Sequence, residues 1–366
     1  MQIKDGKISR YVQFGAMALA LFFATPKAGQ AQTSALNPAA DPLAIIVPID
    51  PFDPAIITDY REEMRKFIRT ISEHARTVNP GFVVIAKDGL DLVDKPDLND
   101  DTLLFPARAY MRAIDGVLET NLLDETVTTP EGKPSPDLEA ALSLKKTHIA
   151  TANTYGLTIM NMEYSTDSGS IDKLYVDSAQ KGFVPFVAES PELTSIPKSP
   201  ESIFSANPTS IHGAAELRNY LFIANSQAFG ATTDYLLELR KTNYDAVVID
   251  VFHGRKPLTR QDINLLKYKH LGSRRLVLAE IDISSASIFH YYWKAGWQQG
   301  NPPYIYAPYR TDPDRHRAVY WDAGWQSIIT GNVNSYLYGI IDLGFDGVVL
   351  KGVDAWKFYE TGGEVQ

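Results

Sequence analysis

The sequence predicts an α/β protein built as a (β/α)8 TIM barrel. Short apolar segments of strand length alternate along the chain with amphipathic segments of helix length, a pattern typical of a parallel sheet covered by helices. There are eight such apolar segments, which is the number of strands that closes this barrel. A doubly wound open sheet is the alternative. No glycine-rich phosphate loop follows any of the strands, so a nucleotide-binding version of it is not favoured.

The predicted strands are short apolar runs, most of them followed by a predicted helix. They span residues 82–86, 113–117, 157–164, 183–188, 220–224, 246–251, 275–283 and 348–350. The predicted helices carry apolar residues at three- and four-residue spacing. They span residues 60–78, 107–111, 138–151, 170–180, 233–242, 259–269, 324–329 and 336–342. Thr259 with Asp262, and Asp322, are expected to cap helix N-termini.

The first 31 residues have the features of a secretory signal peptide. Basic residues precede an apolar core at 14–24 that is too short to span a bilayer. An uncleaved anchor is the alternative, which Pro26 and Lys27 directly after the core disfavour. The protein is therefore expected to be secreted or periplasmic, with no membrane span once residues 1–31 are removed.

The remainder of the chain divides into a linker, one barrel domain and a tail. Residues 32–58 are rich in proline, alanine and aspartate and predict a linker. Residues 59–360 contain all the predicted strands and form the barrel, and 361–366 form a short tail. Within the barrel, the serine-, proline- and asparagine-rich stretch 190–213 predicts a long connector.

Composition excludes several classes of function. The chain has no cysteine, so disulfides, thiolate metal sites and cysteine nucleophiles are excluded. Its net charge is −9, and removal of residues 1–31 leaves 31 basic and 43 acidic residues, a net charge of −12. This acidity argues against nucleic acid as a partner and suits a cationic ligand. No motif predicts a metal or a cofactor.

The stretch from Gly344 to Glu360 carries a family resemblance. It reads GFDGVVLKGVDAWKFYE, and its apolar centre predicts a buried strand with Lys351 and Asp354 at its C-terminal end. It resembles the fourth-strand signature of glycoside hydrolase family 114, the endo-α-1,4-polygalactosaminidase-like TIM barrels, which usually reads GFDGVYLDIVDAYEYFE. Some extracellular proteins of this family carry a cysteinyl-tRNA-synthetase label, which an acidic chain without a nucleotide motif does not support.

The resemblance extends over most of residues 60–360, but in rearranged order. The segment that begins at Tyr60, YREEMRKFIRTISEHARTVNPGFVVIAKDGLDL, is similar to the family segment that follows the fourth strand. The strand at 220–224 is similar to the family's first strand. The resemblance therefore implies a circular permutation, in which family strands five to eight precede strands one to four. Such a rearrangement is tolerated where the natural chain ends lie close together.

The resemblance also implies that both catalytic carboxylates of the family are replaced. The aspartate that ends the fourth strand is Lys351 here, and the glutamate after the sixth strand is Thr120. Two further family glutamates, after the third strand, read Ser285 and Ser287. A lysine or a hydroxyl cannot serve as the second carboxylate that glycoside hydrolysis requires.

Several acids and aromatic residues remain as candidates for a site. The candidate catalytic residues are Asp250, Glu163, Glu119 and Asp282. The candidate substrate-binding residues are Asp354, Lys351, Asp88, Tyr164, Tyr291, Trp293 and Trp321. Glu280 and Asp282 occupy alternate positions of one strand and so point to one face. We expect Lys351 to form an ion pair with one of these two, because an isolated buried carboxylate is costly.

Three functions stay open at this point. The first is an amino-sugar polysaccharide-binding barrel, a pseudoenzyme in which hydrolysis is lost or weak. The second is an active endo-glycosidase that uses a relocated carboxylate pair on an amino-sugar exopolysaccharide. The third is a structural envelope protein that uses the barrel surface. The spacing of the carboxyl groups at the strand ends distinguishes the first two, since hydrolysis needs a pair about 5–9.5 Å apart.

Overall fold

The structure is a computed structural model that describes residues 50–53, 58–97, 99–100, 103–123 and 136–363. The predicted signal peptide, most of the predicted linker and the last three residues of the tail lie outside these ranges. None of the helices in the described ranges is long and apolar enough to cross a membrane.

Eight parallel strands form one sheet that is nearly closed into a barrel. We number them in chain order. They are β1 (Val83–Lys87), β2 (Gly116–Thr120), β3 (Thr158–Tyr164), β4 (Val184–Ala188), β5 (Tyr220–Ile223), β6 (Ala246–Asp250), β7 (Leu276–Asp282) and β8 (Gly347–Lys351). Hydrogen-bonded neighbours follow the order β5-β6-β7-β8-β1-β2-β3-β4. The first and last strands of the chain are therefore paired, and the sheet edges are β4 and β5.

Helices lie between most of the strands, as the alternating pattern predicts. They are α1 (Tyr60–Val78), α2 (Arg108–Ala113), α3 (Pro136–Thr154), α4 (Ser168–Gln180), α5 (Thr232–Arg240), α6 (Arg260–Leu266), α7 (Ala323–Ile329), α8 (Tyr336–Leu343) and α9 (Trp356–Glu360). The two predicted caps are present. Thr259 and Asp262 form a capping box at α6, and Asp322 accepts two backbone N–H bonds at α7.

The side chains inside the barrel follow from the register of the strands. Partners in parallel strands share a face, and every second residue returns to it. One lumen-facing residue from each strand, all fully or nearly fully buried, shows the packing: Ile85, Leu118, Met160, Phe186, Tyr220, Val248, Leu278 and Val349. These side chains fill the lumen below its C-terminal end.

Two lumen-facing positions are glycines because the backbone of a neighbouring strand leaves no space. A Cβ atom at Gly347 would lie 2.3 Å from the Val83 carbonyl oxygen, and one at Gly116 would lie 2.3 Å from the Thr158 carbonyl oxygen. Both approaches are far below van der Waals contact. These glycines therefore permit the close strand packing at the base of the barrel.

The barrel closes between β4 and β5 by packing rather than by a hydrogen-bonded ladder. The rings of Phe186 on β4 and Tyr220 on β5 have centroids 5.3 Å apart. The chain between these strands includes the predicted connector 190–213, which has no helix or strand. In the described ranges, β4 and β5 are the two strands of the sheet that have only one hydrogen-bonded neighbour.

The structure differs from the sequence-based expectation in two places. The second strand covers Gly116–Thr120 rather than 113–117, because α2 continues to Ala113 and the Asp115 carboxylate accepts the N–H of Val84 at 2.7 Å.

In addition, the long excursion after β7 folds into an unpredicted three-stranded antiparallel sheet. Its strands are Ser285–Ser287, Ile305–Pro308 and Arg315–Ala318. Two short hairpins, Asp94–Pro96 with Leu104–Pro106 and Phe252–His253 with Lys256–Pro257, complete the strands.

Replacement of Gly347 by alanine is expected to destabilise the barrel by about 1–3 kcal/mol or more, because the added methyl group forces β8 away from β1. Urea denaturation measures the change. Gly339 in α8 is the matched control, since a Cβ atom there meets nothing within 4 Å. Gly339→Ala should stabilise the protein by roughly 0.5–1 kcal/mol. A Gly347→Ala protein as stable as the wild type would contradict the close approach of the two strands.

Candidate functional site

Charged side chains occupy the lumen at its C-terminal end, where β6, β7 and β8 stop. Glu280 is the register partner of Asp250 on the neighbouring strand, and Asp282 is the register partner of Lys351. All four face the lumen, because partners share a face and Glu280 and Asp282 are two residues apart. The sequence-based expectation that Glu280 and Asp282 share a face is therefore confirmed. This end is where barrels of this kind place their chemistry.

These four residues line a small cavity of about 130 Å³. Its other walls come from β7, the excursion after β7 and α8. They are Ile281, Ser285, Ser287, His290, Arg315 and Tyr336. Typical ligand pockets measure about 300–1,000 Å³. This cavity therefore accommodates one substituent of a larger molecule rather than a whole drug-sized ligand.

The expected ion pair of Lys351 is present, and its partner is Glu280. The Lys351 Nζ lies 3.8 Å from Glu280 Oε1. The Glu280 side chain is 13% exposed and that of Lys351 is 41% exposed, so the lysine covers the carboxylate from the solvent side. Removal of the amine would leave a nearly buried carboxylate without its nearest cation, which is the costly situation.

Asp282 is held by a separate set of contacts. Its Oδ1 accepts the backbone N–H groups of Ser284 at 3.0 Å and Ser285 at 2.9 Å, and its Oδ2 accepts the Ser285 hydroxyl at 2.6 Å. Arg315, from the three-stranded sheet, places its Nη1 3.6 Å from Oδ2. These contacts fix the Asp282 carboxylate and direct it toward the chain that follows β7.

Gly352, the residue after Lys351, occupies a position where the backbone and the space available require glycine. Its φ is +78°, and a Cβ atom would lie 2.1 Å from Ser284 Oγ and 3.0 Å from Asp282 Oδ1. The positive φ and the close approach both require glycine. The turn after β8 is thus packed directly against the Asp282 anchor.

The two partnered carboxyls Asp250 and Glu280 are both shifted toward the protonated form. Burial, reinforced by the negative charge of Glu280, raises the pKa of Asp250 to about 6, although the Phe252 N–H bond and Lys351 oppose the shift. Burial likewise raises the pKa of Glu280, against the charges of Lys351 and Lys87. A carboxyl that titrates near neutral pH is suited to proton transfer.

A second polar group lies at the ends of β1, β3 and β8. Lys87 Nζ lies 2.7 Å from Asp88 Oδ2. Burial lowers the pKa of Lys87, but Asp88, Glu280 and Asp354 outweigh it, so that the pKa is raised. Burial and the neighbouring Asp88 raise the pKa of Asp354. Lys87 thus forms an ion pair with Asp88 and also experiences the negative charges of Glu280 and Asp354.

Tyr164 lies at the end of β3, near Lys87 and Asp88. It faces the lumen, because it is two residues from the lumen-facing Met162, the register partner of Phe186. Burial raises the pKa of its hydroxyl, while the charge of Lys87 opposes the shift. The structure therefore brings together Asp88, Tyr164, Lys351 and Asp354 around the mouth.

Glu119 and Glu163 lie on the other face of their strands, away from the lumen. Glu119 accepts the Leu90 N–H at 2.8 Å, and burial, with the nearby Asp88, raises its pKa to about 8. Glu163 is buried and accepts bonds from Leu123 N–H at 3.0 Å and the Asn161 side chain at 2.9 Å. The structure does not bring these two acids to the cavity.

The aromatic candidates have different surroundings. Tyr291 is 57% exposed and lies edge-on against Tyr336 of the cavity wall, with 5.6 Å between ring centroids. Trp293 packs against Trp297 and His316. Trp321 packs between Tyr60 and Tyr359, with centroids at 5.1 and 4.8 Å. Neither tryptophan lines the cavity.

Three residues of the cavity wall were missed by sequence reasoning as site residues: His290, Arg315 and Tyr336. Arg315 lies on a strand without an apolar pattern, so nothing in the sequence brings it to Asp282. His290 follows the two serines that the resemblance aligns with glutamates, and this adjacency is the one signal that could have found it. In the described part of the chain, no cluster of three or more histidines and carboxylates is placed to hold a metal ion.

Comparison with known proteins leaves the function open. No protein-family model matches the chain. An uncharacterized protein of Deinococcus radiodurans is 24% identical over 175 residues, 48% of this chain and 50% of that protein. One of Thermotoga maritima is 27% identical over 88 residues, 24% and 26% of the two chains. One of Methanocaldococcus jannaschii is 30% identical over 128 residues, 34% and 35%. The chain spans half or less of the length of these curated relatives.

Asp250 is expected to make the protein less stable as the pH rises from 4 to 6. Its pKa is about 6 in the folded protein against an ordinary value of 3.8, so the folded state holds the proton longer than the unfolded state does. Asp250→Asn should remove this loss, which amounts to roughly 2 kcal/mol. Urea denaturation at pH 4 and pH 7 measures it, with Asp172→Asn on the exposed face of α4 as control. Equal pH dependence in the wild type and Asp250→Asn would contradict the burial of this carboxyl.

Lys351→Met is expected to raise the pKa of both Asp250 and Glu280, because the ammonium group that favours their ionised forms is removed. For Asp250 the rise should be roughly one pH unit. A carbon-13 NMR titration of carboxyl-labelled protein measures both groups. Lys351→Arg retains the charge and should leave the titrations close to those of the wild type. Unchanged midpoints in Lys351→Met would show that the lysine does not act on the cavity.

Proposed function

We propose that this protein is an exported glycoside-hydrolase-like barrel of the polygalactosaminidase type, which binds amino-sugar polysaccharide and has lost most or all hydrolytic activity. One observation carries the proposal. At the end of β8, in the lumen, the chain has Lys351, and this lysine forms an ion pair with the nearest cavity acid, Glu280, at 3.8 Å. A carboxylate would be needed at this position for the family's reaction.

The remaining carboxylates support loss of hydrolysis. The reaction needs one carboxyl that donates a proton and a second that acts as nucleophile or base. In the cavity, Glu280 is engaged by Lys351, and Asp282 is engaged by Ser285 and Arg315. Asp250 is left with a backbone N–H partner at 2.8 Å from Phe252. Asp250 is thus the one cavity acid without a cationic partner within ion-pair distance among the described residues, and the acid beside it is paired with a lysine.

The same cavity suits an amino sugar as ligand. Asp250, Glu280 and Asp282 present three carboxyls to a space of about 130 Å³, which is large enough for a substituent such as an ammonium group but not for a whole sugar ring with its neighbours. The hydroxyls of Ser285 and Ser287 add polar partners. The acidic chain, with a net charge of −9, attracts a cationic polymer toward the mouth.

The fold supports a further part of the proposal, namely a TIM barrel in permuted order. The strand order β5-β6-β7-β8-β1-β2-β3-β4 pairs β1 with β8 and leaves β4 and β5 as the two edges without a ladder between them. In the expected permutation, β4 corresponds to family strand eight and β5 corresponds to family strand one. These two strands lie on either side of the connector. We propose export through residues 1–31 on the basis of their charge and hydropathy pattern.

An active endo-glycosidase is the second candidate, and the pKa of Asp250 favours it. A carboxyl that titrates at about 6 is suited to act as general acid near neutral pH. Glu280 is its register partner on the next strand and would be the second carboxyl of a relocated pair. This alternative requires Lys351 to leave Glu280 when substrate binds.

Binding and hydrolysis are to be measured on the same preparation. We expect isothermal titration calorimetry to show binding of polygalactosamine, at least tenfold weaker binding of the N-acetylated polymer, and at least tenfold weaker binding by Asp250→Asn. Asp172→Asn, exposed on α4, is the matched control and should bind as the wild type does. Reducing-end release should stay at the background of a buffer blank.

Two results would refute the proposal. Equal affinity for the amino and the N-acetylated polymers would show that the cavity acids do not recognise an amine. Reducing-end release that disappears in Asp250→Asn and in Glu280→Gln would establish the second candidate, the glycosidase with a relocated carboxylate pair.

A further inference from the structure

Two aromatic rings at the rim of the cavity are exposed to solvent. Phe289 is 64% exposed and Tyr291 is 57% exposed. They flank His290, whose side chain lines the cavity. Because they are exposed at the edge of a polar cavity, both rings are accessible to a ligand that enters it.

The backbone of Phe289 and the ring of Tyr291 both contact residues of the cavity wall. The backbone N–H of Phe289 donates to Ser287 Oγ at 3.3 Å, and Ser287 lines the cavity. Tyr291 lies edge-on against Tyr336 and Tyr292, with centroids 5.6 and 5.5 Å apart. The rim rings are thus continuous with the cavity through Ser287 on one side and Tyr336 on the other.

Arg255 indicates the chemistry that these rings accept. Its guanidinium carbon lies 5.5 Å from the centroid of the Phe289 ring, within the range of a cation–π contact. The rim therefore already holds one cation against an aromatic face. An ammonium group on a sugar has the same charge, and the apolar face of a sugar ring can pack against an aromatic ring by dispersion and apolar contact.

We propose that Phe289 and Tyr291 form a second subsite, which binds the amino-sugar unit next to the one whose substituent enters the cavity. This inference rests on the proposed function and adds to it the direction of the polymer. The glycan leaves the cavity past His290 and crosses the rim toward the hairpin that carries Arg255. Recognition then depends on chain length, because a single sugar contacts the cavity only through its substituent, whereas an oligomer also covers the rim.

The test compares the affinities of galactosamine and its α-1,4-linked trimer by calorimetry. Phe289→Ala and Tyr291→Ala should each lower the ratio of trimer to monomer affinity about threefold to fivefold, and the double variant about tenfold. Tyr268→Ala is the matched control. This tyrosine is 56% exposed and lies at the opposite end of the barrel, where the adjacent Lys267 carbonyl oxygen accepts the Arg275 N–H at 2.9 Å just before β7.

The outcomes separate this inference from the proposed function. A lowered ratio in the rim variants, with the wild-type ratio in Tyr268→Ala, supports the second subsite. An unchanged ratio in the double variant, with both ligands still bound by the wild type, overturns the subsite and leaves the proposed function standing. A wild-type protein that binds neither ligand overturns both. Thermal unfolding of each variant confirms that the barrel is intact.

Discussion

The electrostatic balance inside the barrel mouth is the constraint on which the rest of the site depends. A parallel barrel directs several strand ends at one small volume, and here those ends carry carboxylates that are largely removed from water. Such groups persist only with cations or N–H donors beside them. Lys351 is the cation beside Glu280, and backbone N–H groups together with Arg315 stabilise Asp282. The positive charge of Lys87 lies near the carboxylates of Asp88, Glu280 and Asp354. The lysine at the end of β8 is therefore a structural requirement of the acids around it.

The architecture was largely predictable from the sequence because it depends on local periodicity. All eight strands and the capped helices α6 and α7 were anticipated, since apolar runs and cap residues act over a few positions. The boundary of β2 was not, because it depends on a contact distant in sequence, between the Asp115 carboxylate and the backbone of β1. The three-stranded sheet after β7 was missed for a similar reason. Its strand Arg315–Ala318 reads as charged and polar, and only its partners make it a strand.

The site was predictable in part. Asp250, Asp282 and Lys351 meet at the cavity because the end of a strand is a property that the sequence reveals. Glu119 and Glu163 are also at strand ends, yet they face the helices, because one residue of register decides the face and each lies next to a lumen-facing residue, Leu118 or Met162. Arg315 could not be anticipated, since its approach to Asp282 depends on the path of a long excursion. Side chains contributed by irregular chain are thus the part of a site that sequence periodicity does not reach.

The junction between β4 and β5 has a consequence for how the molecule deforms. Continuous hydrogen-bonded ladders join β6, β7 and β8, and these strands carry the charged cavity residues Asp250, Glu280, Asp282 and Lys351. Between β4 and β5, one strand beyond β6, the wall is joined by side-chain packing such as that of Phe186 with Tyr220. Mechanical compliance is therefore concentrated at the junction between β4 and β5, which lies outside the strands that carry the cavity acids. The barrel wall can flex at this junction by a change in the distance between β4 and β5, while the strands that carry the acids keep their spacing.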